Sequence, residues 1–79
     1  MKLIQSYVQE RFFVSTIYRE SSAQVPTPSW YYETMAWVWD KNTRERGELL
    51  EQQDSGYTEV YALREHAKVC ERLSCMEKK

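Results

Sequence analysis

The stretch WYYETMAWVW, residues 30 to 39, constrains this chain most. Five of its ten side chains are aromatic, and it contains neither glycine nor proline. That composition favours an extended strand. Alternation along a strand puts Trp30, Tyr32, Thr34, Ala36 and Val38 on one face, and Tyr31, Glu33, Met35, Trp37 and Trp39 on the other. Both faces carry rings, so a sheet built on this strand wants cover on both sides. A chain of 79 residues has little to cover it with, because a domain of this size buries only about 60% of the surface its unfolded form exposes.

The remaining elements follow from the same reading. RFFVSTIYRES, residues 11 to 21, is rich in β-branched and aromatic residues and predicts a strand. Phe12, Val14, Thr16 and Tyr18 share one of its faces; Phe13, Ser15 and Ile17 share the other. The preceding KLIQSYV either extends this strand or forms a short one of its own. SSAQVPTPS, with two prolines, reads as an exposed connector. DKNTRERG reads as a turn, and RGELLEQQ as a third strand whose glutamates suit a sheet edge. TEVYALREHAKVCERL is the one convincing helix, with Thr58 as cap and Glu59 in the first turn. Its apolar stripe is predicted as Val60, Leu63, Ala67, Cys70 and Leu73. SCMEKK reads as a frayed basic tail. The expected fold is a single α+β domain over residues 1–79: a three-stranded antiparallel sheet with one C-terminal helix packed on one face, β-β-β-α.

In this arrangement the small residues Thr34, Ala36 and Val38 suit the space under the helix. Tyr31, Met35, Trp37 and Trp39 then project from the helix-free face. The reverse assignment, with Trp30 and Tyr32 at the helix ends, also leaves large rings uncovered. An uncovered apolar patch on a small protein marks a contact site, and Trp, Tyr and Arg dominate interface energetics. Three covers are open: the chain's own first segment or proline connector, a second copy in a homodimer, or a different partner.

Charge narrows the partner. Eleven basic and twelve acidic residues give a net charge of -1, which counts against a protein that lives on nucleic-acid phosphate. Lys41, Arg44 and Arg46 nevertheless cluster in the turn beside the tryptophans, a set that suits phosphates and stacked bases, although Asp40, Glu45 and Glu48 interleave. The acidic set Glu45, Glu48, Glu51 and Asp54 suits a basic groove on a protein that itself handles nucleic acid, or simply keeps an edge strand soluble. The predicted partner-binding set is therefore Tyr31, Met35, Trp37, Trp39, Lys41, Arg44, Arg46, Glu48 and Glu51.

No catalytic or cofactor motif stands out. His66 and Cys70 are four apart on the helix, but they make only two metal ligands, and the expected arrangement is a buried thiol beside a surface histidine. Cys70 and Cys75 fit no zinc spacing and are expected as free thiols in a reducing cytoplasm. No segment has signal-peptide or membrane-span length, so the chain reads as cytosolic.

FFVSTIYRESSA, WYYETMAWVWD and TRERGELLEQ, followed by an amphipathic helix, resemble small proteins carried by bacteriophages and prophages, in which the strand FVST and the stretch ETM(x)W(x)WD recur. The resemblance covers roughly residues 11 to 73. It implies a non-enzymatic protein that acts in the host cytoplasm on a host protein or ribonucleoprotein complex, including inhibition of host defence of the anti-CRISPR kind. It brings no site residues with it. A three-stranded sheet backed by a helix is also similar to the DNA-binding domains of some phage integrases and AP2-type factors, which use the sheet face and basic residues on it.

Overall fold

The computed structural model describes residues 2–20 and 30–75. The elements are β1 (Lys2–Val8), β2 (Phe12–Glu20), β3 (Trp30–Asp40), β4 (Glu45–Asp54) and α1 (Glu59–Ser74). The four strands form one antiparallel sheet in the order β1-β2-β3-β4, and α1 packs across one of its faces. The fold class is α+β, as expected, but the sheet has four strands and not three. The proline connector lies outside the described residues, and so does any cover it would give the sheet.

The additional strand is β1. It hydrogen-bonds to β2 in the register Tyr7↔Phe13 and Val8↔Phe12. The link between them is a tight turn closed by the Arg11 N–H donating to the Val8 carbonyl at 3.0 Å. Gln9 and Glu10 both take positive φ, 54° and 58°. A turn with both central residues left-handed suits the twist of a hairpin, and Asn-Gly or Gly-Gly normally fills it. A Gln-Glu pair carries none of that signature, so the hairpin is invisible to turn chemistry.

Under the helix the apolar core is Val8, Phe12, Val14 and Ala36 from the sheet with Val69 and Leu73 from α1. Each Val or Leu buried here contributes about 1.5–3 kcal/mol. Thr34 and Ala36 do lie beneath the helix, while Val38 runs past its end into solvent. The helix itself is rotated from the predicted stripe. Ala62, His66, Val69 and Leu73 face the sheet; Val60 is 68% exposed, and Leu63 and Ala67 also face outward. Thr58 caps as expected, its Oγ1 accepting from the Tyr61 N–H at 3.3 Å.

The rotation has a polar cause. His66 is only 3% exposed, contrary to its expected surface position. Its Nε2 lies 2.9 Å from Ser6 Oγ and its Nδ1 2.8 Å from Thr16 Oγ1. Thr16 Oγ1 is 2.7 Å from Thr34 Oγ1, which is 2.7 Å from Ser55 Oγ. Turning His66 outward would strand these buried hydroxyls, which costs about 1–3 kcal/mol for each group left unpaired. Burial holds the imidazole pKa below its ordinary 6.5, so at neutral pH one ring nitrogen donates and the other accepts. Cys70, predicted as the buried partner, is half-buried at the core's margin, with its thiol pKa pushed up by burial against a hydrogen bond from Ser6.

Candidate docking site on the helix-free face

The second face of the sheet is covered by no described element. Its centre is a row that crosses all four strands: Tyr7 opposite Phe13, Phe13 opposite Trp37, Trp37 opposite Leu49. Trp39 sits one step along β3, opposite Arg46. The rings meet as a mosaic. Tyr7 is 5.1 Å from Phe13 and 4.9 Å from Trp39; Phe13 is 5.7 Å from Trp37 and 5.8 Å from Trp39, centroid to centroid. Aromatic pairs at such separations add about 0.5–1.5 kcal/mol each beyond their buried area. Phe13 is thereby only 6% exposed although no helix lies over it, whereas Tyr7 remains 59% exposed. Trp37 and Trp39 are half-buried.

Arg46 completes the group. Its guanidinium lies 4.6 Å from the Trp37 ring centroid and 6.0 Å from that of Phe13, a cation–π arrangement that holds the charge at a fixed height over the sheet. The β3–β4 turn sets the neighbouring charges. Asp40 Oδ1 accepts from the Asn42 and Thr43 N–H groups at 2.9 and 3.3 Å, and the Arg44 N–H donates to the Asp40 carbonyl at 2.7 Å. Arg44 closes the turn in the left-handed region at φ 60°. Lys41 and Glu10, on facing turns, are 3.3 Å apart and both largely exposed, so their attraction is weak.

Two shallow clefts flank Trp39. One, about 420 Å³, lies between Tyr7, Lys41, Asn42 and Arg44. The other, about 530 Å³, lies between Phe13, Arg44 and Arg46, with Lys2 on its wall. Trp39 and Arg44 border both.

The far end of the same face is different. Glu33 is buried, with Oε1 accepting from Arg19 at 2.7 Å and Oε2 from Gln52 at 2.6 Å. That pairing raises the Arg19 pKa. Tyr31 stands opposite Arg19 at this end. At about 3.3 Å per residue, eight residues put it roughly 26 Å from Trp39.

The structure therefore brings together Trp37, Trp39, Lys41, Arg44 and Arg46 of the predicted set. Met35 occupies the middle of the face. Tyr31 belongs to the far end. Glu48 is exposed on β4. Glu51 is on the other side of the sheet: it pairs with Ala36 and binds Arg72 of α1 through both carboxylate oxygens. The register shift between Ala36 and Trp37 is what moves it, since one extra residue on β4 reverses the alternation beyond it. Tyr7 and Phe13 were not in the predicted set. The alternation of RFFVSTIY grouped Phe13 with Ser15 and Ile17, and only the Phe13↔Trp37 register puts that face with the tryptophans; Tyr7 required the hidden hairpin.

Among the described residues no three His, Cys, Asp or Glu side chains converge as a metal site, and no helix is long and apolar enough to cross a membrane. Comparison with protein-family models, with curated proteins and with solved structures finds no match.

Proposed function

We propose that this chain is a non-catalytic docking protein that sets its helix-free sheet face against a host ribonucleoprotein complex and obstructs it. The observation that carries the reading is the Tyr7–Phe13–Trp37–Leu49 row with Trp39 beside it and the Arg46 guanidinium over its rings, left without cover by the described elements. Such residues supply most of the affinity of interfaces, because they bury large rigid areas at little entropic cost. The charged turn beside them gives orientation. His66, the side chain best suited to general acid–base work, has both ring nitrogens engaged by internal hydroxyls, which supports a structural role for it. The FVST and ETM(x)W(x)WD stretches support a phage origin, action in the host cytoplasm and a target among host defence complexes.

The test is retrieval of one identified complex from host lysate by the wild-type chain, by Trp37→Ala and by Trp39→Ala, each checked for folding by circular dichroism. Loss of the same complex with both variants is expected. Undiminished retrieval by both folded variants overturns the reading. Light scattering across a concentration series tests the competing use of this face, a homodimer.

A further inference from the structure

The end of the helix-free face around Trp39 differs from the rest of the molecule in charge. Four cations, Lys2, Lys41, Arg44 and Arg46, line the two clefts, against two carboxylates, Glu10 and Glu45. The chain as a whole is -1, so positive charge has been gathered here. The aromatics are of two kinds. Trp37 has one ring face occupied by the Arg46 guanidinium. Tyr7 and Trp39 meet edge to face, at 61°, and Tyr7 is the most exposed ring of the cluster.

We propose that the two clefts beside Trp39 hold single-stranded nucleic acid, with bases stacked on Tyr7 and Trp39 and phosphates held by Lys41, Arg44 and Arg46. This rests on the docking reading above and names which part of a ribonucleoprotein complex meets this end of the face. The charge complementarity selects an anionic occupant. The ring faces select one with π-surfaces: every base has one, and stacking on aromatic side chains beside a basic groove is how single strands are held without reading their sequence. An acidic peptide would use the cations and leave the rings idle. Duplex DNA fits poorly. Four strands about 4.8 Å apart span roughly 14 Å between outer backbones, wider than the ~12 Å major groove that admits a helix or a two-stranded ribbon.

The probes are twelve-nucleotide oligo-dT and oligo-U, titrated at low salt against the full chain while tryptophan fluorescence is followed. Quenching is expected, with a log–log salt dependence of about -2 to -3 from three or four neutralised phosphates. Trp39→Ala is expected to weaken binding about tenfold, as is loss of one stacked base. Arg44→Asn keeps a residue that tolerates the left-handed turn conformation and is expected to flatten the salt slope by about 0.7; it also serves if Trp39→Ala does not fold. Duplex DNA of the same length should bind more weakly. Absence of quenching at low salt overturns the inference, and so does a polyglutamate competitor that displaces the oligonucleotide at equal charge. Retrieval of a complex that still depends on Trp37 and Trp39 would in that event leave the docking reading standing, so the two fail separately.

Discussion

The two faces of this sheet are made from the same strands and solve different problems. Beneath α1 the centre of the sheet holds Val14, Thr16, Thr34 and Ala36, all but sealed from water, with Phe12 beside them, and the larger rings of that face, Tyr18, Trp30 and Tyr32, gather at the Trp30 end of the strands. A helix packed at about 10 Å from the sheet leaves no room for indoles between them. On the other face nothing limits height, and its centre holds Phe13, Trp37 and Trp39 with Tyr7. There Phe13 is buried by its neighbours in the plane, Tyr7, Trp37 and Trp39, in place of a covering layer. The covered face is held by vertical packing and an internal hydrogen-bonded chain. The helix-free face is held laterally, ring against ring, and keeps its outer surface available. Stability and contact are in this way assigned to opposite sides of one sheet.

That division is open to direct attack. The largest effect is expected at Leu73, which is 1% exposed: Leu73→Ala should cost about 3 kcal/mol, a large part of the total for so small a domain. Trp39→Ala on the opposite face should cost less, about 1–2 kcal/mol for its two ring pairs with Tyr7 and Phe13, in urea unfolding while removing partner capture. If the two costs prove equal, the division fails. Thr34→Val comes next. It keeps the shape but leaves the Thr16 and Ser55 hydroxyls each one partner short, an expected loss of about 2 kcal/mol visible as a lowered denaturant midpoint with unchanged m-value.

The pH dependence of His66 sharpens the contrast further. Its pKa in the folded protein is below the ordinary 6.5 because it is buried. As pH falls below about 6.5 the unfolded chain takes up a proton that the folded chain resists, so this contribution to stability is full above that pH and is lost as pH drops through the folded pKa. The slope is at most about 1.4 kcal/mol per pH unit. Unfolding midpoints should be level from pH 7 to 8 and decline towards pH 5, with His66→Asn showing the smaller decline. The smallest effect is expected at the exposed Arg72–Glu51 pair, where Arg72→Ala should cost under about 1 kcal/mol in the same unfolding experiment.

β2, β3 and α1 were legible from composition and periodicity, and β4 more weakly because of its glutamates; the alternation of residues 30 to 39 put Trp37 and Trp39 on one face, and the small residues on the other face suited the space under the helix. Three features were illegible for separate physical reasons. The β1–β2 turn uses Gln9 and Glu10 where glycine or asparagine is the usual sign. The helix stripe was counted from apolar side chains alone, but the helix turned to satisfy an imidazole, burying Ala62 and His66 and exposing Val60 and Leu63. Glu51 was grouped with the other acidic residues of its strand by charge alone, and the irregular β3–β4 register turns it to the helix side. Patterns of two and of 3.6 record only hydrophobic preference. They are silent where a hydrogen bond or a bulge decides.

The hydroxyl–imidazole chain draws one member from β1, β2, β3, the segment after β4, and α1 in turn: Ser6, Thr16, Thr34, Ser55 and His66. Its bonds join residues 60, 50, 18 and 21 apart in sequence. During synthesis, then, the emerging hairpins cannot finish their interior until position 66 has left the ribosome. Until that moment Thr16, Thr34 and Ser55 can bond one another, but Ser6 and the outer side of Thr16 wait for their imidazole. The imidazole is then the last link to close, tying β1 and β2 to α1 through one side chain.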